Sequence, residues 1–282
     1  MKSIVVTGAA QGVGLSTARL LAHSDYRVIL LDIQPLEAQV ESLRAGGAEV
    51  VGITGDISAE IFVQGVAERL QSDFGGVYGL VNNAGISLIV PAEETSAAQW
   101  QRVMDINLFG PFLLCKYLGA QMLAARSGSI VNVASIAGLA AVSHRSAYNT
   151  SKHGLIGYTK TLAAEWGGRG VRVNAVCPGW IKTEMDVADQ GSGAYSDADI
   201  VNRVPMARFA RQRRLHGRGQ QAKLSESLRL TPRKRSFRAT PWRVPLPLCR
   251  RQRRSSTSVP LRPTTSRSGQ RTHLSIATIY LA

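Results

Sequence analysis

Ser3-Ile4-Val5-Val6-Thr7-Gly8-Ala9-Ala10-Gln11-Gly12-Val13-Gly14 opens the chain with a β-rich run that breaks into a glycine turn, and residues 15–22 continue it with helical apolar spacing. This is the order a dinucleotide pyrophosphate requires. Gly8, Gly12 and Gly14, with Gln11 and Val13 between them, let backbone approach phosphate closely. The helix N-terminus adds free N–H groups and a favourable dipole. A second apolar run, Arg27-Val28-Ile29-Leu30-Leu31, ends at Asp32, eighteen residues beyond Gly14. An acid at that place meets the adenosine ribose hydroxyls. Three glycines alone say little; between strand and helix, with an acid after the next strand, they say much more.

Outward from this unit, strand-like runs recur at 4–7, 28–32, 49–53, 77–82, 128–134 and 171–177. Longer periodic segments separate them, among them 61–74, 100–125 and 146–166. Such a βαβ rhythm predicts an α/β fold with a doubly wound, Rossmann-like parallel sheet. No repeat is present beyond the alternation.

Tyr148-Asn149-Thr150-Ser151-Lys152 falls in the last periodic segment, with Ser135 thirteen residues upstream of Tyr148. Positions four apart share a helix face, so phenol and ammonium lie side by side. A phenol titrates near ~10 in isolation. A neighbouring cation favours the phenolate and lowers that value, which would fit Tyr148 for general acid/base work, while Ser135 could hold a substrate oxygen. Taken alone, such a Tyr–Lys pair also occurs on ordinary helices.

Together these motifs resemble the short-chain dehydrogenase/reductase family, in its compact single-domain type. Thr7-Gly8-x-x-x-Gly12-x-Gly14 matches the family's cofactor turn, and Asp56-Ile57 fits its adenine-contacting acid. Asn82-Asn83-Ala84-Gly85 fits the motif after the fourth strand, and Pro178-Gly179 with Ile181 and Thr183 fits the segment that cradles the nicotinamide. Asn107, Ser135, Tyr148 and Lys152 fit the catalytic tetrad. The resemblance implies that Tyr148 exchanges a proton with the substrate oxygen. Lys152 would lower the Tyr148 pKa and hold the nicotinamide ribose, Ser135 would bind the substrate oxygen, and Asn107 would support a water chain from Lys152 to solvent. It also implies a homo-oligomer, although the C-terminus described next opposes one.

The resemblance covers roughly residues 1–210 and then stops, as does the charge balance. Residues 1–210 carry 16 Lys/Arg and 18 Asp/Glu, a net of −2, whereas residues 211–282 carry 18 basic residues and one acid, Glu226, a net of +17. The chain's overall charge of +15 therefore describes a tail rather than a domain. Arg211-Gln212-Arg213-Arg214, Pro232-Arg233-Lys234-Arg235 and Arg250-Arg251-Gln252-Arg253-Arg254 stand in Ser/Pro-rich text without sustained period. Two regions are expected: a catalytic domain over 1–210 and a basic, disordered tail over 211–282, without the helix and last strand that usually close the sheet. A reading-frame change near codon 211 is the preferred explanation, ahead of a genuine disordered extension. A nucleic-acid-binding tail ranks last, since Phe237, Trp242 and Tyr280 are its few aromatics.

Asp32 can accept hydrogen bonds from both ribose hydroxyls of NAD and would repel the 2′-phosphate of NADP. The positions where a phosphate-binding cation would stand hold Ala9, Ala10, Gln11, Ile33 and Gln34. NAD is the expected cofactor, and a small-molecule secondary alcohol or ketone, such as a cyclic diol or polyol, the expected substrate. The pocket loops are expected at Ile86-Ser87-Leu88, Ile136-Ala137-Gly138-Leu139-Ala140 and Val142-Ser143-His144, with His144 the main polar side chain and a lid over 184–205. A 3-oxoacyl-carrier-protein reductase shares every catalytic motif but usually pairs with NADP. An inactive nucleotide-binding relic and a basic-tailed nucleic-acid binder complete the alternatives. Cys115, Cys177 and Cys249 lack metal-like spacing and read as free thiols, and no metal site is expected. With neither a secretory leader nor a membrane span in sight, the expected compartment is the cytoplasm.

Overall fold

A computed structural model describes residues 1–204 and 206–210, together with the backbone strand Ala277–Ile279. By compactness the chain divides into Met1–Leu230 with Leu274–Ala282, and Thr231–His273. The second unit, and with it most of the expected tail, lies outside the described residues.

Strands β1 (Lys2–Thr7), β2 (Tyr26–Asp32), β3 (Val50–Thr54), β4 (Gly79–Asn82), β5 (Gly128–Val133) and β6 (Val171–Cys177) alternate with helices. They form a parallel sheet in the order β3-β2-β1-β4-β5-β6. In β1, Ile4, Val5 and Val6 are wholly buried because both faces of the sheet are covered. Ile4 and Val6 pack with Ala18 and Leu21 of α1 (Gly12–Ala22) and Leu43 of α2 (Glu37–Ala45). Val5 points the other way, to Val63 and Leu70 of α3 (Glu60–Phe74), Leu114 and Leu118 of α5 (Gly110–Ala124), and Leu162 and Trp166 of α6 (Ser146–Trp166). Truncating a side chain such as Leu118 to Ala would cost about 2–5 kcal/mol. The strand order reverses between β1 and β4, and a ligand crevice opens there, outside the carboxyl ends of the strands.

One expectation needs correction, and one helix carries an irregularity. Residues 97–124 run as a continuous helix in which α4 (Ala97–Met104) and α5 are joined through a π-turn, Asp105–Phe109. Pro111 has no N–H to give the Asn107 carbonyl, so the regular i→i−4 ladder cannot run through. The tail also supplies a strand where none was expected. Ala277–Ile279 forms β7, antiparallel on the β6 edge, pairing Ala175 with Ile279 and Cys177 with Ala277. An unpaired edge invites any short β-compatible run, and three residues are too few to show a period. The expected loss of the closing helix lies outside the described residues.

Candidate active site

The crevice is a cleft of about 530 Å³, within the ordinary range for small-molecule sites. At one end lies the glycine turn. Gly8 (φ +63°) and Gly12 (φ +59°) adopt the left-handed backbone that only glycine takes easily. Gly8, Gln11, Gly12 and Val13 line the cleft. Gly14 does not; a Cβ there would stand 1.9 Å from the Gly8 carbonyl oxygen, so its task is close packing of helix on turn. Thr7 fastens this turn to the next loop, its hydroxyl accepting from the N–H groups of Asn83 and Ala84 at 3.0 Å each. The Asn83 amide donates back to the carbonyls of Thr7 and Gly8.

Asp32 ends β2 with its carboxylate fixed by two backbone donors, Ala10 N–H at 2.8 Å and Gln34 N–H at 3.0 Å. Further along, Asp56 accepts from the Ser58 N–H and hydroxyl and pairs with Arg102 at 3.2 Å. Burial would raise the Asp56 carboxyl, but the Ser58 hydrogen bonds and the Arg102 charge outweigh it and hold it below its ordinary value. These elements fit a dinucleotide: a glycine cradle a Cβ would fill, an open helix N-terminus, and a pre-oriented acid. Glu184 closes over the cradle, its carboxylate 3.3 Å from where a Cβ on Gly12 would sit. An anion so near a helix N-terminus is electrostatically favoured, and a pyrophosphate would compete for the same place.

The other end gathers Ser135, Tyr148 and Lys152 on one wall, with Ala84, Gly85, Pro178, Gly179, Ile181 and Thr183 around them and Ile57 beside Asp56. The Ser135 hydroxyl hydrogen-bonds Tyr148. Lys152, 4% exposed, donates to the Val133 carbonyl at 2.8 Å, and its ammonium lies 5.6 Å from the Tyr148 ring centre. Burial pushes the Lys152 ammonium down to about 8, with Cys177 opposing.

The sequence reading of Tyr148 is corrected here. Burial raises the phenol above its ordinary value; the Ser135 hydrogen bond and the Arg145 charge pull it back in part, while Asp189 raises it further. Lys152 is not among the groups lowering it: with its own value pushed down to about 8, it has lost its charge before the phenol ionises. Asn107 stands behind the wall, fully buried. Its side chain accepts from the Ile86 N–H at 2.8 Å and donates to the Ile86 carbonyl at 2.9 Å and the Ser151 hydroxyl at 3.1 Å. It thereby ties the loop after β4 to α6.

Sequence reasoning missed Arg145. His144, expected as the polar pocket residue, is exposed and off the cleft, with φ +59°, while its neighbour Arg145 lines it. The segment expected as a lid holds α7 (Glu184–Gly191), a short loop and α8 (Asp197–Arg203). It contributes Asp189, which pairs with Arg145 at 2.8 Å, and Tyr195, which packs edge-on against Trp180 at 5.1 Å. The one available signal was position: three residues before Tyr148, at the start of α6.

The profile of the family described as short chain dehydrogenase matches residues 2–191. D-threitol dehydrogenase of Mycolicibacterium smegmatis is 39% identical over 211 residues, 74% of this chain and 80% of that protein. The 3-oxoacyl-[acyl-carrier-protein] reductase of Synechocystis is 33% identical over 76% of this chain and 85% of its own length. Among solved structures, an actinorhodin polyketide ketoreductase with NADPH superposes with a TM-score of 0.75 at 32% identity, covering 81% of this chain and 90% of that one.

Proposed function

The chain belongs to the short-chain dehydrogenase family, oxidoreductases of alcohols and ketones that bind a nicotinamide cofactor, and on that premise we propose that it is an NAD-dependent dehydrogenase of secondary alcohols. The observation carrying this reading is that Ser135, Tyr148 and Lys152 line the same cleft as the glycine turn and Asp32. Gly8, Gln11, Gly12 and Val13 would hold the pyrophosphate, Asp32 the adenosine ribose, and Asp56 and Ile57 the adenine. Asn83, Ala84, Gly85, Pro178, Gly179, Ile181 and Thr183, with Tyr148 and Lys152, would hold the nicotinamide riboside. The nicotinamide, when bound, supplies the hydride chemistry.

Ser135 orients the substrate oxygen, and the Tyr148 phenol exchanges its proton. The Lys152 ammonium, with a value of about 8, stands ready to relay that proton and to bond a ribose hydroxyl. Asn107 keeps the loop after β4 and α6 in register. NAD is favoured over NADP because both Asp32 oxygens are already fixed by backbone donors, and Arg102, the basic residue lining this end, is paired with Asp56. The acyl-carrier-protein reductase reading shares the machinery and is supported by the Synechocystis relative, but Asp32 opposes the 2′-phosphate of NADP.

Two partly exposed rings, Phe109 and Phe112, stack at 5.7 Å beside Tyr158 and suit a second copy of the chain. No helix among the described residues is long and apolar enough to cross a membrane. Cys115 and Cys177 are buried free thiols, which fits a cytoplasmic enzyme. The full-length chain should reduce NAD in the presence of a secondary alcohol such as threitol or cyclohexanol, and NADP far more slowly. Equal or faster use of NADP would remove the cofactor assignment.

A further inference from the structure

Arg145 is the one described cation lining the catalytic end of the cleft besides Lys152, and it is 7% exposed. It sits among three rings: its guanidinium carbon is 5.9 Å from the Tyr148 ring centre, 5.6 Å from Trp180 and 5.7 Å from Tyr195. One terminal nitrogen is doubly engaged, donating to the Ser87 hydroxyl at 2.6 Å and pairing with Asp189 at 2.8 Å. The other, Nη2, is buried without a hydrogen-bond partner. A buried donor left unmade is unfavourable, and a ligand bringing an acceptor would recover that loss.

We propose that Arg145 determines substrate specificity by receiving a second hydroxyl, on the carbon next to the carbinol, so that the enzyme takes vicinal diols and polyols. The inference rests on the alcohol-dehydrogenase reading above. The guanidinium carbon lies 5.9 Å from the Tyr148 ring centre, which places Arg145 beside a substrate whose carbinol oxygen meets the phenol.

The charges choose a hydroxyl over a carboxylate. Asp189 already offsets the guanidinium, and Asp186 of the same lid helix, paired with Lys182, also lines the cleft. An incoming anion would therefore meet a guanidinium whose charge is already balanced. A hydroxyl both accepts and donates: it can accept a hydrogen bond from the Nη2 N–H and donate its own to Asp189. Tyr195 and Trp180 flank the guanidinium with their rings.

The test compares oxidation of trans-1,2-cyclohexanediol and cyclohexanol by the full chain, R145M and R145K, with NADH binding followed separately by nicotinamide fluorescence. Wild type should prefer the diol. In R145M the diol-to-alcohol ratio of kcat/KM should fall about tenfold, the size expected for losing one charged hydrogen bond; R145K, retaining a donor, should fall between. An unchanged ratio, or an equal loss on both alcohols, would overturn the inference while leaving the dehydrogenase reading intact. So would a wild-type preference for 2-hydroxycyclohexanecarboxylate over the diol, which would mean that the guanidinium reads charge. A wild type that binds NADH but oxidises neither alcohol would overturn the dehydrogenase reading and the inference with it.

Discussion

The two ends of the cleft are built differently. The cofactor end is made largely of backbone: left-handed glycines, a helix N-terminus, and an acid held by two N–H groups. The catalytic end is made of side chains drawn from β5, α6, the segment after β6 and the lid, held by a salt bridge and a cluster of rings. Backbone devices need particular residues at particular spacings, so they leave a motif. Side-chain assemblies need only that distant residues meet, and they leave little trace in the sequence.

If the ends are separable, a lesion at one should spare the other. The largest effect is expected from Tyr148→Phe, which should reduce turnover about a thousandfold, in the range of losing a general acid/base group, while NADH still binds. Loss of binding in step with activity would join the two ends.

Lys152→Met should be smaller and of opposite sign in stability. The buried ammonium titrates at about 8 rather than 10.5, so the folded state disfavours its charge. At pH 7 the group is charged in both folded and unfolded chains, and the full penalty applies. As pH rises from about 8 to 10.5 the native state releases its proton before the unfolded state does, and wild type gains stability. After allowance for the lost Val133 hydrogen bond, K152M should be the more stable protein by about 2 kcal/mol at pH 7. That margin should shrink through the alkaline window, while turnover falls about a hundredfold. Urea unfolding at several pH values measures it, and a margin growing with pH would contradict the burial of this charge.

The contrast also explains what was legible. The span Ser146–Trp166 and the strand Val171–Cys177 coincide with their sequence expectations, since both have long, clear patterns. Every residue expected in the cofactor contacts or the catalytic tetrad lines the cleft except Gly14 and Asn107, which act from behind it, whereas Leu88, Gly138, Leu139, Ala140, Ser143 and His144 of the expected pocket loops do not line it. The π-turn was hidden because apolar spacing runs through it unchanged, and only the missing N–H of Pro111 betrays it. Arg145 was hidden because its partners are Ser87, fifty-eight residues before it, and Asp189 in the lid. The Tyr148 environment depends on how deeply the phenol and Lys152 are buried, which spacing alone cannot say. Past residue 210, the loss of period left nothing from which β7 could be read.

The most direct test of the account is a side-by-side titration of the purified full-length chain with NADH and NADPH, followed by nicotinamide fluorescence, with Asp32→Ser as control. Saturable binding of NADH, tighter than NADPH by about tenfold or more from the 2′-phosphate facing Asp32, with the gap closing in the variant, is the predicted result. NADPH binding as tightly as NADH, or neither binding to soluble protein, would contradict it.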